Sequence, residues 1–194
     1  MSIYALKPKF QALLRPLVRA LYALGVTANQ VTLAACATSV ALGLWLFLAP
    51  VPARAFLLLP LWLFLRMALN AIDGMLAREF GQKSALGAYL NEVCDVVSDA
   101  ALYLPFGLVA GSSMPALAVV IALACAAELT GTVSVMTGAS RRYDGPFGKS
   151  DRAFVFGLLG LAVALGLPLA GWIDWVWLVC AVLAAATIVN RIRG

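Results

Sequence analysis

Long apolar runs separated by short polar breaks dominate the chain, and their lengths predict membrane-spanning helices. A helix of about 20 apolar residues crosses a hydrocarbon core of about 30 Å, and the chain has six runs near that length. The pattern therefore predicts an all-α, polytopic membrane protein with six transmembrane helices in a single domain, residues 1–194. The six runs are residues 31–49, 55–76, 85–110, 114–137, 153–169 and 172–189.

The breaks between the runs are rich in Gly, Pro, Ser and charged residues, which favour turns. The break at residues 166–171 is short, so we expect the fifth and sixth spans to form a tight antiparallel hairpin. The break at residues 81–84 is also short. It allows the second and third spans to pack side by side and antiparallel.

The segment before the first run, residues 4–24, has the pattern of a short amphipathic helix. Its cations lie largely away from the apolar side, as in helices that rest in the plane of a membrane interface. An ordinary positively charged flank is the alternative. The apolar side is formed by Leu6, Phe10, Leu13, Leu14, Leu17 and Leu21.

Composition and charge support this class and give an orientation. Hydrophobic residues make up 63% of the chain, charged residues 12%, and the mean hydropathy is +0.96. The net charge of +5 comes from cations in alternate breaks, and only Arg54 lies in a break on the other side. The positive-inside rule then predicts that both termini are cytoplasmic, in a bacterial inner membrane, with membrane lipids as partners. We expect no nucleic-acid partner.

Two residue types limit the chemistry. The chain contains no histidine, which excludes histidine bases and histidine metal ligands. Its four cysteines all fall within predicted spans and lack metal-like spacing, so we interpret them as small apolar fillers. Carboxylates and cations must therefore supply the chemistry.

Acidic and amide residues recur at helical spacing in the second and third runs. A buried charge costs several kcal/mol unless it is paired, and a divalent cation is a suitable partner. Oxygen ligands favour Mg²⁺ or Mn²⁺ over zinc, and Mg²⁺ commonly completes its shell with substrate phosphates. We expect the site at the cytoplasmic ends of the two spans. The candidate metal ligands are Asn70, Asp73, Asn91, Glu92 and Asp95.

The same residues resemble the signature of the CDP-alcohol phosphatidyltransferase family. Its spacing is matched by Asp73, Gly74, Ala77, Arg78, Gly87 and Asp95. The resemblance implies transfer of a phosphatidyl group from CDP-diacylglycerol to an alcohol, with release of CMP, by a metal-dependent homodimer. It further implies that Asp95 is the catalytic base. The implied nucleotide-binding residues are Asp73, Gly74, Ala77, Arg78 and Gly87.

Two positions depart from the family pattern, because Asn70 and Asn91 stand where it has aspartates. An amide oxygen can coordinate a metal but adds no charge and cannot act as a base. Glu92 and Asp99 restore the number of carboxylates in this region. We predict Asp99 as a second catalytic candidate that accepts a proton; it could also hold a displaced ion or pair with Arg66.

The break at residues 138–150 and the start of the fifth run carry four cations that suit a phosphate group. We therefore expect a phosphorylated alcohol as acceptor, whereas the alternative is that these cations only set topology. Glu128, deep in the fourth run, could hydrogen-bond within the bundle or line a polar path. The candidate acceptor-binding residues are Arg141, Arg142, Lys149 and Arg152.

Two other functions remain open from the sequence. The asparagines allow a noncatalytic protein that binds CDP-lipid or nucleotide without turnover. The intramembrane acids allow a small cation transporter, although the Gly and Ala-Arg elements of the signature argue against it.

Overall fold

The computed structural model describes residues 6–193, and the regular secondary structure within them is entirely helical. Short 3-10 turns follow or precede three of the helices, at Ala53–Leu57, Leu104–Leu108 and Ser134–Thr137. The α-helices are α1 (Leu6–Ala23), α2 (Ala28–Leu48), α3 (Leu58–Glu79), α4 (Ala85–Tyr103), α5 (Met114–Val133), α6 (Lys149–Ala164) and α7 (Ile173–Arg193).

Four helical segments in the described residues are long and apolar enough to cross a membrane. The other two predicted spans correspond to α4 and α6. Helix α4 carries three carboxylates, at Glu92, Asp95 and Asp99, and α6 has only 16 residues. For these two helices, membrane crossing stays a prediction. The four segments are Ala28–Leu48, Ala53–Glu79, Met114–Thr137 and Ile173–Arg193.

The predicted N-terminal helix is present as α1, although residues 4 and 5 of the prediction lie outside the described part of the chain. Val18 is buried against α3, where it joins Ile72 and Met75 in a small apolar cluster. Leu13 and Leu17 are exposed on another side of α1. The helix therefore docks on the bundle, and its predicted position at a membrane interface stays a prediction.

Helix α2 organises the site half of the bundle, because α3 and α4 both pack along it. A glycine permits the close approach of α2 and α4: a Cβ on Gly43 would lie 2.1 Å from the carbonyl oxygen of Ala101. Helices α3 and α4 were expected to pack side by side, but each packs along α2 instead. This arrangement leaves a cleft between α3 and α4. The polar faces of the two helices line the cleft, and long side chains cross it.

The second half of the bundle pairs α6 with α3 and α5 with α7. The prediction of a tight hairpin between the fifth and sixth spans is therefore wrong: α6 and α7 each have a different main partner. Small residues explain the preference of α6, since Gly157 and Gly160 lie against Pro60 and Leu59 of the α3 region. The packing partner of α6 is therefore determined by close contact between small residues and not by proximity in the sequence.

Aromatic side chains fill the centre of this half. Tyr103 stacks on Phe156 with ring centroids 3.6 Å apart, and Phe156 stacks on Trp177 at 5.7 Å. Phe106 meets Phe156 edge-on at 5.5 Å. All four side chains are fully buried. We call Tyr103, Phe106, Phe156 and Trp177 the aromatic layer.

Candidate active site

Asp73 forms the α3 side of the cleft. Its side chain is buried, and its Oδ2 accepts a hydrogen bond from Thr32 Oγ1 at 2.7 Å. Thr32 lies in the first turns of α2, whose start is fixed by a capping box between Thr27 and Gln30. The capped start of α2 thus positions Thr32, whose neutral hydroxyl orients Asp73.

The two glycines of the motif permit close approach of polar side chains. The Arg78 guanidinium lies over Gly74, where a Cβ would come within 2.8 Å of Nη2. At Gly87 a Cβ would lie 2.8 Å from Asn29 Oδ1 and 3.1 Å from Ser84 Oγ. Both glycines therefore serve close packing in this structure. In each case the packed atoms are themselves polar and face the predicted nucleotide region.

Asp95 forms the α4 side of the cleft, and its two oxygens differ. Oδ1 accepts from Lys149 Nζ at 2.5 Å, from Arg66 Nη2 at 3.2 Å and from Asn70 Nδ2 at 3.5 Å. Among residues 6–193, no donor contacts Oδ2. One oxygen is anchored, and the other is available to a ligand.

The loop between α5 and α6 positions Lys149. Its backbone is tied to α5 where the Arg142 amide donates to the Gly131 carbonyl at 3.0 Å, and to α7 where the Phe147 amide donates to Thr187 Oγ1 at 2.9 Å. Gly145 has a φ of +127° and lies so close to Thr187 that no side chain would fit. Because α5 and α7 hold this loop in place, Lys149 has a fixed position beside Asp95.

Asp99 lies one turn beyond Asp95 and is held by two cations. Arg66 contacts its Oδ1, and Arg152 Nη2 donates to its Oδ2 at 3.1 Å. Arg66 also donates to the backbone carbonyl of Asp95 at 3.0 Å. With both oxygens paired and the side chain only 5% exposed, the structure favours the ion-pair alternative for Asp99 over a catalytic role.

Glu128 extends these ion pairs across α5. It binds Arg152 at 2.9 Å, Arg141 at 3.4 Å and Arg191 at 3.5 Å. The sequence prediction that Glu128 hydrogen-bonds within the bundle fits this arrangement. We call Arg66, Asp99, Glu128, Arg152 and Arg191 the buried charge network. All five side chains are less than 10% exposed.

Glu92 is turned away from the other predicted metal ligands. It pairs with Arg141 at 2.7 Å and accepts from Thr132 Oγ1 at 3.0 Å. Residues Glu92 and Asn91 are adjacent on α4, so their side chains project about 100° apart. The cleft therefore holds Asn70 and Asp95 in contact and Asp73 opposite, while Glu92 faces α5.

The four predicted acceptor-binding cations occupy different environments. Lys149 contacts Asp95 at the cleft, whereas Arg141 is held on the α5 side by Glu92 and Glu128. Arg142 pairs with the exposed Asp144 at 3.4 Å. Arg152 is only 1% exposed and belongs to the buried charge network. Of the four cations, only Lys149 contacts a carboxylate of the cleft that lies outside the buried charge network.

The donor set at the cleft fits a hard divalent ion. The described residues contain no group of three or more His, Cys, Asp or Glu side chains arranged around a metal position. Asp73 and Asp95 nevertheless face the cleft with Asn70, and Asn91 lies one turn before Asp95 on the same face of α4. All four side chains carry oxygens. One or two carboxylates are what Mg²⁺ sites commonly use.

The helices that form this site belong to a known protein family. The model of the CDP-alcohol phosphatidyltransferase family matches residues 25–188, which include every helix of the cleft. This chain belongs to that family. The match confirms the predicted activity class, transfer of a phosphatidyl group from CDP-diacylglycerol in phospholipid synthesis, and gives no support to the cation-transporter alternative.

Two relatives are similar along most of their length. The inner membrane protein YnbA of Escherichia coli is 49% identical over 194 residues, covering 100% of this chain and 96% of YnbA. The phosphatidylinositol phosphate synthase of Corynebacterium glutamicum is 28% identical over 176 residues, covering 88% of this chain and 78% of that enzyme.

Solved structures of one enzyme share the fold. They are of the phosphatidylinositol phosphate synthase PgsA1 of Mycobacterium tuberculosis. The complex with manganese and citrate aligns at a TM-score of 0.73 and 23% identity, covering 91% of this chain and 86% of PgsA1. The form with CDP-DAG bound aligns at 0.68 and 22%, covering 92% and 89%.

Sequence reasoning missed two contacts of the site. One is the contact of Lys149 with Asp95, and the other is the contact of Arg191 with Glu128. Both join residues of distant helices, and no local sequence signal indicates either contact.

Proposed function

We propose that this chain transfers the phosphatidyl group of CDP-diacylglycerol to an alcohol at the cleft between Asp73 and Asp95. The observation that carries the assignment of roles is the asymmetry of Asp95. Its Oδ1 is held by Lys149, Arg66 and Asn70, while Oδ2 is directed to no donor within residues 6–193. A carboxylate fixed in this way is oriented for general-base catalysis.

In the reaction, Asp95 Oδ2 accepts the proton of the acceptor hydroxyl. The hydroxyl oxygen forms a bond to the phosphorus that carries the diacylglycerol, and the bond from that phosphorus to the bridging oxygen of the pyrophosphate breaks. The electron pair leaves with CMP. Lys149 and Arg66 keep the Asp95 carboxylate in place throughout these events.

The α3 side binds the nucleotide. Asp73, Gly74 and Ala77 lie along one side of α3, and Arg78 folds back over Gly74. The Arg78 guanidinium offers paired donors to the phosphates. Gly87, packed against Asn29, permits the backbone of α4 to approach the ligand.

A divalent cation, Mg²⁺ or Mn²⁺, completes the site. Asp73 and the amide oxygens of Asn70 and Asn91 would hold it, which leaves Asp95 Oδ2 free to act as the base, and when bound it would neutralise charge on the pyrophosphate and on the leaving CMP. Glu92 is removed from this set because it pairs with Arg141. The manganese complex of PgsA1, a protein of the same fold, supports a divalent ion.

The acceptor is a phosphorylated alcohol. Arg141 and Arg142 lie on the loop that precedes Lys149, and their guanidinium groups suit the phosphate of the acceptor. Arg152 and Asp99 support them from the buried charge network as positioning residues. The similarity to a phosphatidylinositol phosphate synthase agrees with a phosphate-bearing acceptor.

The protein acts as a homodimer in a bacterial inner membrane, with six spans and both termini cytoplasmic. Helices α4 and α6 cross with the bundle because their ionic side chains pair inside it. Helix α1 rests at the interface, with Leu13 and Leu17 exposed to lipid. The name of the YnbA relative agrees with an inner-membrane location.

The test is CMP release by the purified protein supplied with CDP-diacylglycerol, Mg²⁺ and a panel of free and phosphorylated alcohols. Loss of a general base lowers rates by about 10²–10⁴-fold, so Asp95→Asn should fall in this range with unchanged CDP-lipid binding. The matched control is Asp174→Asn, an exposed site at the start of α7. Full activity of Asp95→Asn would remove Asp95 from the mechanism.

A noncatalytic CDP-lipid binder is the second candidate, favoured by Asn70 and Asn91 at motif positions that carry aspartate in the family. It predicts CDP-lipid binding with no CMP release from any acceptor. It also predicts that the variant Asn70→Asp/Asn91→Asp gains turnover. Turnover by the unaltered protein eliminates it.

A further inference from the structure

Lys149 is the only lysine that the structure brings to a motif carboxylate within residues 6–193. Its Nζ lies 2.5 Å from Asp95 Oδ1, closer than either Arg66 or Asn70. The lysine is not an incidental surface group, because the loop that precedes it is hydrogen-bonded to both α5 and α7. A cation is therefore built into the position beside Asp95.

The carboxylates near the cleft are too few, and too occupied, for two divalent ions. Asp99 is neutralised by Arg66 and Arg152, and Glu92 by Arg141. That leaves Asp73, with the uncharged amides of Asn70 and Asn91, because the free oxygen of Asp95 is the proposed base. This set suits one hard ion that completes its shell with water and phosphate oxygens.

Asp73 and Asp95, on the two sides of the cleft, also differ in the groups that already contact their carboxylates. Asp73 accepts from a neutral hydroxyl, and within residues 6–193 no cation lies at ion-pair distance from it. Asp95 has two cations in direct contact. A divalent ion is thus attracted to the Asp73 side and repelled from the Asp95 Oδ1 side.

We infer that this chain binds a single divalent ion, centred on Asp73, and that the Lys149 ammonium is a fixed second cation at Asp95. The inference rests on the proposed function for the place of the ion, and it explains the asparagines: with Lys149 in the site, carboxylates at both positions would no longer be needed. Lys149 is then a positioning residue that also supplies charge.

The experiment counts Mn²⁺ bound per chain by EPR titration of the purified protein in detergent, without substrate. The unaltered protein should bind one Mn²⁺. Lys149→Met should bind it about tenfold more tightly, the effect expected for a unit charge about 6 Å from a divalent ion in a water-like dielectric. Lys83→Met, an exposed lysine in the loop between α3 and α4, is the matched control and should not change binding.

A second variant tests the exclusion of another ion. Asn70→Asp/Asn91→Asp/Lys149→Met restores the carboxylates and removes the cation, so it should bind two Mn²⁺. Lys149→Arg keeps the charge and should bind one. Two ions in the unaltered protein, or an affinity in Lys149→Met equal to that of Lys83→Met, would overturn the inference.

The metal count is independent of turnover. One bound ion without CMP release would contradict the proposed function and support the role of Lys149. Two bound ions with CMP release would contradict the role of Lys149 and support the proposed function.

Discussion

Helices α4 and α6 meet in two layers that lie one turn apart and differ completely in chemistry. In one layer Asp99 pairs with Arg152 at 3.1 Å, and in the next Tyr103 stacks on Phe156 at 3.6 Å. Each helix contributes residues four apart to the two layers. The same backbone geometry thus supports a charged contact and an apolar contact.

The charged layer and the aromatic layer differ in what they contribute to stability. Burying an ion pair costs desolvation that its attraction often only balances, whereas stacked aromatic rings stabilise without that cost. A bundle selected for stability alone would repeat the aromatic layer. The buried charge network lies instead next to Asp95, and its member Arg66 contacts that carboxylate directly.

The largest expected effect comes from breaking the charged layer. Arg152→Met leaves Asp99 and Glu128 with fewer partners, and removal of one member of a buried pair costs about 3–5 kcal/mol. We expect a large drop in the free energy of unfolding in detergent and loss of CMP release. Arg193→Met, at an exposed position of α7, is the control.

Adding Glu128→Gln to Arg152→Met should recover part of the lost stability, because Glu128 has then lost its nearest cation and keeps only the longer contacts with Arg141 and Arg191. If Arg152→Met is as stable as Arg193→Met, the charged layer is not a coupled network.

A smaller effect is expected from the aromatic layer. Phe156→Leu removes stacking on Tyr103 and Trp177 while keeping most of the apolar volume, which should cost about 1–2 kcal/mol of unfolding free energy. CMP release per folded molecule should stay unchanged. Phe154→Leu, an exposed neighbour on α6, should leave both quantities unchanged. Selective loss of turnover in Phe156→Leu would contradict the separation of the two layers.

The smallest effect is expected where an ion pair is exposed. Arg15 of α1 binds Glu79 of α3 at 3.0 Å, with both side chains more than a third exposed. A double-mutant cycle with Arg15→Gln and Glu79→Gln should give a small coupling energy that declines with added salt. A coupling as large as the loss in Arg152→Met would mean that burial does not distinguish these pairs.

The sequence predicted neighbours where spacing along one helix determines proximity. Asn70 and Asp73 share a face of α3, and the structure brings Asn70 into contact with Asp95 of α4; the roles of these residues stay a prediction. The pairing of Arg66 with Asp99 was among the alternatives because Arg66 lies one turn before Asn70.

Contacts between distant helices were beyond sequence reasoning. Nothing in the order of the helices shows that α3 and α4 each pack mainly along α2, or that α6 prefers α3 to α7; small residues such as Gly43 and Gly160 determine these neighbours through the shape of the helix surfaces. The pairing of Lys149 with Asp95 depends on the fold of the loop before α6, and no local sequence pattern predicts it.

The attachment of that loop to α7 has a practical consequence for engineering. Arg191 donates to the carbonyl oxygens of Ala127 and Asp144, so the last turn of α7 clasps both α5 and the loop that presents Lys149. A truncation before Arg191 would release this clasp, and an affinity tag is better attached through a linker that begins after residue 193.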